Sequence, residues 1–90
     1  MNLKVWTYDD EPILSLDPMS FDSEKELIKK LSVQKYPDEE FSVKIEDVCG
    51  RVKNFYFDGI DGLLLIGILL YRGMSDFVFG LDNGLQFVKD

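Results

Sequence analysis

Residues 58–73 read DGIDGLLLIGILLYRG, and their conformation decides how the rest of the chain can be covered. Within this stretch, residues 63–71 carry no charge, and only Gly67 interrupts their large apolar side chains. Such a run fits a membrane span, a buried helix or a strand at the centre of a sheet. A membrane span needs about 20 apolar residues. This run is far shorter and has charged residues at both ends, which excludes a span.

The choice between a helix and a strand is less direct. Leucine favours helices, so a buried helix remains an alternative. Three features favour a strand: Gly67 lies in the middle of the run, turn-forming dipeptides flank it, and the segments on both sides have strand-like patterns. We therefore predict that Leu63–Tyr71 is a strand, covered on both faces at the centre of a sheet.

The remaining elements follow from shorter patterns. Alternation of apolar and polar residues predicts strands at 2–8, 41–47 and 51–57. Asn83-Gly84 predicts a hairpin that joins strands at 77–79 and 85–88. Residues 9–20 contain two prolines and a charge cluster, so an irregular loop is expected there.

One helix is predicted, at about residues 23–35. Ser23 and Glu26 have the spacing of a capping box, and Pro37 prevents the helix from continuing. The chain is thus expected to be a single α+β domain over residues 1–90. Its twisted, mostly antiparallel sheet would have five or six strands, with the one helix packed on one face. One helix cannot cover such a sheet, so loop 9–20, sheet curvature or a second copy in a homodimer could cover the remaining aromatic surface.

Composition narrows the functional classes. The net charge is −7, and most of it comes from residues 1–50, which hold six lysines and twelve acidic residues. Such a charge is repelled by phosphate backbones and by anionic lipid, so neither direct nucleic-acid binding nor membrane binding is expected. There is one cysteine, and the first ten residues do not resemble a secretory signal. A cytoplasmic location is therefore expected.

No motif for catalysis is evident. The chain has no histidine, which removes Ser-His-Asp and Cys-His arrangements, and it has no glycine-rich phosphate loop. The acidic residues at 9–11 and the turn at 58–62 could ligate a hard cation, but hydrated turns account for both more simply. The chain is therefore not expected to be an enzyme, and no cofactor or metal is predicted.

Protein binding is the function that the sequence favours. Acidic residues cluster near aromatic side chains that could anchor a partner. The predicted contact residues are Trp6, Tyr8, Asp9, Asp10, Glu11, Tyr36, Asp38, Glu39 and Glu40. In size and charge the chain resembles immunity proteins and antitoxins, and this resemblance implies a basic protein partner such as a nuclease toxin. Two alternatives stay open: an oligomeric domain of a larger assembly, and a nucleic-acid mimic that blocks a nucleic-acid-binding complex.

Overall fold

Two β-hairpins, joined side by side, form the sheet of this protein. β1 (Asn2–Trp6) pairs with β2 (Pro12–Leu16), and β3 (Phe41–Glu46) pairs with β4 (Val52–Phe57). β1 also pairs with β3, so the strand order is β2-β1-β3-β4 and every pairing is antiparallel. A computed structural model provides this architecture, and it describes residues 1–81 of the chain.

Helices cover one face of the sheet. A short 3-10 turn at Pro18–Ser20 leads into α1 (Glu24–Ser32), and α2 (Ile60–Tyr71) and α3 (Ser75–Phe79) follow β4. The strands and the helices contribute to one apolar core, in which nearly all large side chains are fully buried. Its members are Leu3, Val5, Leu27, Leu31, Phe41, Val43, Ile45, Phe55, Phe57, Leu63, Ile66, Leu70 and Val78. The protein is therefore an α+β fold of two layers.

Residues 63–71 are helical, so the predicted central strand is wrong. They belong to α2, and the central strands of the sheet are β1 and β3. The run is rich in leucine rather than in β-branched residues, and this composition suits a helix. Residues 63–70 of α2 are apolar on every side, although Leu65 is 40% exposed, so the sequence of this helix shows no amphipathic period.

Gly67 lies where α2 approaches α1 closely. A Cβ atom at this position would lie 2.9 Å from Leu31 Cδ1 and 3.8 Å from Leu27 Cδ2. The missing side chain therefore lets the two helices approach closely. Their ends are also joined by an ion pair, in which Arg72 Nε donates to Glu24 Oε1 at 2.6 Å and Nη2 donates to Oε2 at 3.1 Å.

Two other predictions are wrong. The expected loop at 9–20 contains strand β2, where Pro12 is the first residue of a strand at the edge of the sheet, a position that proline tolerates. Residues 77–79, predicted as a strand, lie in α3. The partner strand predicted at 85–88 falls outside the described residues. The described part of the chain thus has four strands and three helices instead of five or six strands and one helix.

The strands predicted from alternating patterns are confirmed. The strands predicted at 2–8, 41–47 and 51–57 are β1, β3 and β4, each one or two residues shorter than expected. The predicted helix at 23–35 is α1, and Ser23 Oγ accepts a hydrogen bond from the Glu26 amide at 3.2 Å, as the capping box requires. None of the helices in residues 1–81 is both long enough and apolar enough to span a membrane.

Candidate partner-binding site

The helices in the described part of the chain pack on one face of the sheet, and the opposite face is open. Because side chains alternate along a strand, the neighbours of the buried core residues point to this open face. Trp6, Ser42 and Lys44 are half-buried there, and Tyr56 is 45% exposed. The open face thus combines aromatic rings with polar and charged groups.

The pairing register arranges these side chains in rows across the strands. Trp6 on β1 is opposite Ser42 on β3, which is opposite Tyr56 on β4. One row further along, Lys4 is opposite Lys44. The open face therefore carries an aromatic row near one end and two neighbouring lysines at its centre.

The β1–β2 turn lies at the end with the aromatic row. Thr7 N donates to Glu11 O at 2.8 Å, and Asp10 N donates to Thr7 O at 3.0 Å, which closes a three-residue loop. Asp10 has a φ of 63°, in the left-handed region. Thr7 Oγ1 accepts from the Glu11 amide at 3.0 Å and further fixes the loop. The Asp10 carboxylate is thereby held on a well-defined turn.

A small cavity lies where this turn meets the start of β3. Its volume is about 170 Å³. The β1–β2 turn contributes Thr7, Tyr8 and Asp10 to its lining, and the remaining lining residues are Glu40, Phe41, Ser42 and Tyr56. The cavity thus joins carboxylates from two loops that are distant in sequence with two tyrosine rings.

The predicted contact residues are distributed around this cavity. Tyr8, Asp10 and Glu40 line it, and Trp6 lies in the same row of the open face as the lining residues Ser42 and Tyr56. Asp9, Glu11, Asp38 and Glu39 are exposed on the two loops that flank it. The two acidic clusters that are separated in sequence are therefore brought to one end of the sheet.

Tyr36 is positioned differently. Its hydroxyl donates to Leu31 O at 2.7 Å, and its ring stacks on Phe41 with the ring centroids 5.3 Å apart. Burial raises the pKa of Tyr36 to about 12. This side chain therefore supports Phe41, which lines the cavity, and its own hydroxyl is already engaged with α1.

Tyr56 was not among the predicted contact residues, although the sequence contained a signal for it. In the segment from 52 to 57 it alternates with Phe55 and Phe57, which both point into the core. Alternation alone therefore places Tyr56 on the open face. Its alignment with Ser42 and Trp6 depends on strand order and register, which the local pattern does not reveal.

The charges around the cavity are unbalanced. No lysine or arginine lines it, and among residues 1–81 neither Asp10 nor Glu40 forms an ion pair or a side-chain hydrogen bond. Within the described chain, no group of three or more acidic or cysteine side chains is arranged to hold a metal ion. The site consequently offers carboxylates and aromatic rings for binding.

Comparisons of the chain with protein-family models, with curated proteins and with solved structures gave no match. Its function has to be inferred from its own geometry.

Proposed function

We propose that the protein is a small acidic binding protein that blocks a basic protein partner, in the manner of an immunity protein or antitoxin. The partner would be a basic toxin or nuclease domain. The open face of the sheet and the acidic loops at 9–11 and 38–40 would form the contact, and the protein would act by obstruction, without chemistry or a cofactor of its own. The cytoplasm is the location that fits this role.

One observation carries the proposal: Asp10 and Glu40 lie on the same cavity, next to Tyr8 and Tyr56. Carboxylates at this end of the sheet would steer a basic partner towards it and raise the association rate. The aromatic side chains of the open face would supply the apolar contact area that dominates binding energy at interfaces. Tyr36 would contribute by holding Phe41 in place.

The experiment begins with affinity capture of partners from the source cell, followed by mass spectrometry. The captured protein is then purified, and its affinity for the wild-type chain is compared with that for a variant carrying Asp38→Lys and Glu39→Lys. We expect the double substitution to raise the Kd by about tenfold at low salt and by less at physiological salt, because exposed charges are screened.

A second variant, with Asp22→Lys and Glu26→Lys, provides the matched control. It changes the net charge by the same amount, but both residues are exposed at the start of α1, in the helical layer. Circular dichroism verifies that both variants fold. The proposal fails if the two variants weaken binding equally, or if the Asp38 and Glu39 substitutions leave the affinity unchanged in both salt conditions.

Self-association is a second candidate function, in which the open face is a subunit interface of a homodimer or of a larger assembly. The observation that favours it is the row of Trp6 and Tyr56, with Val52 45% exposed on the same face. Light scattering over a dilution series tests it. A mass that stays that of a dimer, and that falls to the monomer mass in Trp6→Ser, would favour self-association over the blocking role.

A further inference from the structure

We propose that the cavity between Tyr8, Asp10, Glu40 and Tyr56 receives a single arginine side chain of the partner. This inference rests on the proposed function, since it specifies the group that a basic partner would insert. The cavity would then select for arginine, and the wider acidic surface would steer the partner towards it.

The size of the cavity indicates what can occupy it. Sites for small molecules usually enclose roughly 300–1,000 Å³. The cavity has about 170 Å³ and is bounded on one side by the open surface of the sheet. It is therefore suited to one side chain that projects from a larger molecule.

The lining indicates the charge of the occupant. Asp10 and Glu40 both line the cavity, Asp10 from the β1–β2 turn and Glu40 from the residue just before β3. No basic side chain among the lining residues neutralises them. An inserted cation would satisfy both carboxylates with charge-assisted hydrogen bonds, whereas an apolar or anionic group would leave them desolvated.

The aromatic walls favour arginine over lysine. Tyr8 and Tyr56 border the cavity with rings that can stack on a planar cation. A guanidinium group also has five N–H donors directed in a plane, so it can bind two separate carboxylates at once. Thr7 and Ser42 also line the cavity, so its remaining lining is polar as well.

The test uses the full-length protein labelled with ¹⁵N and three blocked tripeptides as probes: Gly-Arg-Gly, Gly-Lys-Gly, and the same peptide with citrulline, the neutral analogue of arginine. Amide shifts are followed by NMR during titration. We expect saturable shifts centred on Tyr8, Ser42 and Tyr56 with the arginine peptide. Binding should be several-fold weaker with lysine and at least about tenfold weaker with citrulline, since one lost charge-assisted contact accounts for such a factor.

Charge-neutral variants separate the cavity from the general acidic field. Asp10→Asn and Glu40→Gln should each weaken binding of the arginine peptide by at least about fivefold. The matched changes Asp22→Asn and Glu26→Gln, exposed near the start of α1, should stay within about twofold. Asn tolerates the left-handed backbone of Asp10, so this variant is expected to fold.

Each contrary outcome has a distinct meaning. Equal binding of the citrulline peptide, equal losses for Asp22→Asn and Asp10→Asn, or no shifts at Tyr8, Ser42 and Tyr56 would overturn the arginine cavity. Any of these results leaves the blocking function standing if the captured partner still depends on Asp38 and Glu39. Loss of that dependence, with the arginine peptide still bound, would overturn the blocking function alone.

Discussion

Asp10 occupies, in the β1–β2 turn, the position that Gly50 occupies in the β3–β4 turn. Both turns are three-residue loops: Asp10 N donates to Thr7 O, and Gly50 N donates to Asp47 O at 3.1 Å. Both residues have positive φ, 63° for Asp10 and 86° for Gly50. This loop type prefers glycine at that position. The chain thus places a carboxylate where backbone geometry favours glycine, and it does so only in the turn that borders the cavity.

Single substitutions at these two positions should have opposite effects on the free energy of unfolding. Asp10→Gly should raise the free energy of unfolding by a few tenths of a kcal/mol, because glycine adopts positive φ without strain and the change reduces the net negative charge. Gly50→Ala should lower it by about 1 kcal/mol, because a Cβ atom is strained in this region even where nothing crowds it. Urea denaturation measures both. A large loss of stability in Asp10→Gly would show that the Asp10 side chain holds the turn together.

The contact between Gly67 and Leu31 makes a second prediction. Gly67→Ala improves helix propensity by about 1 kcal/mol, but it places a Cβ atom too close to a fully buried Leu31. Overpacking of a core costs about 1–3 kcal/mol, so we expect a net loss of about 1 kcal/mol. Thermal and urea denaturation report the change.

Leu31→Val provides the partner variant for this contact because valine lacks the Cδ1 atom. The double variant Gly67→Ala with Leu31→Val should be more stable than the sum of the two single effects predicts. As a control, Gly59→Ser adds a capping hydroxyl at the start of α2, where a Cβ atom meets nothing within 4 Å, and should stabilise by a few tenths of a kcal/mol. Strict additivity at Gly67 and Leu31 would contradict the close approach of α1 and α2.

The pair of Glu24 and Arg72 predicts a loss of stability in acid. Hydrogen bonding from Arg72 lowers the pKa of the Glu24 carboxyl below its ordinary range. Because the folded-state pKa lies below the unfolded one, the pair stabilises the fold above the unfolded pKa. That contribution is lost as the pH falls below roughly 4, through the folded pKa.

Glu24→Gln should therefore lower stability at neutral pH and flatten its decline below about pH 4. Urea denaturation at neutral pH and below about pH 4 measures both effects. The effect should shrink in high salt because the pair is partly exposed. Hydrogen bonding from Arg51 also lowers the pKa of Asp47. The stability of the Glu24→Gln variant should therefore still fall in acid, but less steeply than that of the wild-type protein. An unchanged pH profile would mean that Arg72 does not hold Glu24 in solution.

The alternating segments could be interpreted from sequence because their signal is local. In β1, β3 and β4 every second side chain enters the core, so the pattern records burial directly. The capping box of α1 is equally local, since Ser23 and Glu26 are three residues apart. Of the predicted contact residues that line the cavity, only Tyr8 comes from such a segment, and Asp10 and Glu40 were selected for their charge.

The segment from 63 to 71 could not be assigned from its period because it has none. A helix packed between a sheet and another helix is apolar on all sides, and so is a central strand. The five leucines and two isoleucines of this run favour a helix, whereas a glycine in its middle favours a strand. Only the contact of Gly67 with Leu31 explains why a helix has glycine at this position. The convergence of Asp10 with Glu40 also required strand order and register, which depend on contacts between residues distant in sequence.

Tyr36 predicts a loss of stability in alkali. Its pKa is raised by burial to about 12. A raised folded-state pKa means that the contribution is fully present below the unfolded pKa, near 10, and is lost as the pH rises towards 12. Ultraviolet absorbance should show a tyrosine ionisation near pH 12, and Tyr36→Phe should remove that step. The absence of such a step in the wild-type protein would contradict the burial of Tyr36.

The final prediction concerns Lys4 and Lys44, which lie opposite each other at the centre of the open face. Like charges on directly opposed strand positions repel, whereas opposite charges attract by roughly 0.2–1 kcal/mol. Lys44→Glu should therefore raise the free energy of unfolding by about 0.5 kcal/mol at low salt, and less at high salt. Urea denaturation tests this. Lys25→Glu, at an exposed position of α1, is the control for the change in net charge. If Lys44→Glu instead destabilises the protein while Lys25→Glu does not, repulsion between Lys4 and Lys44 does not lower the stability of the wild-type protein.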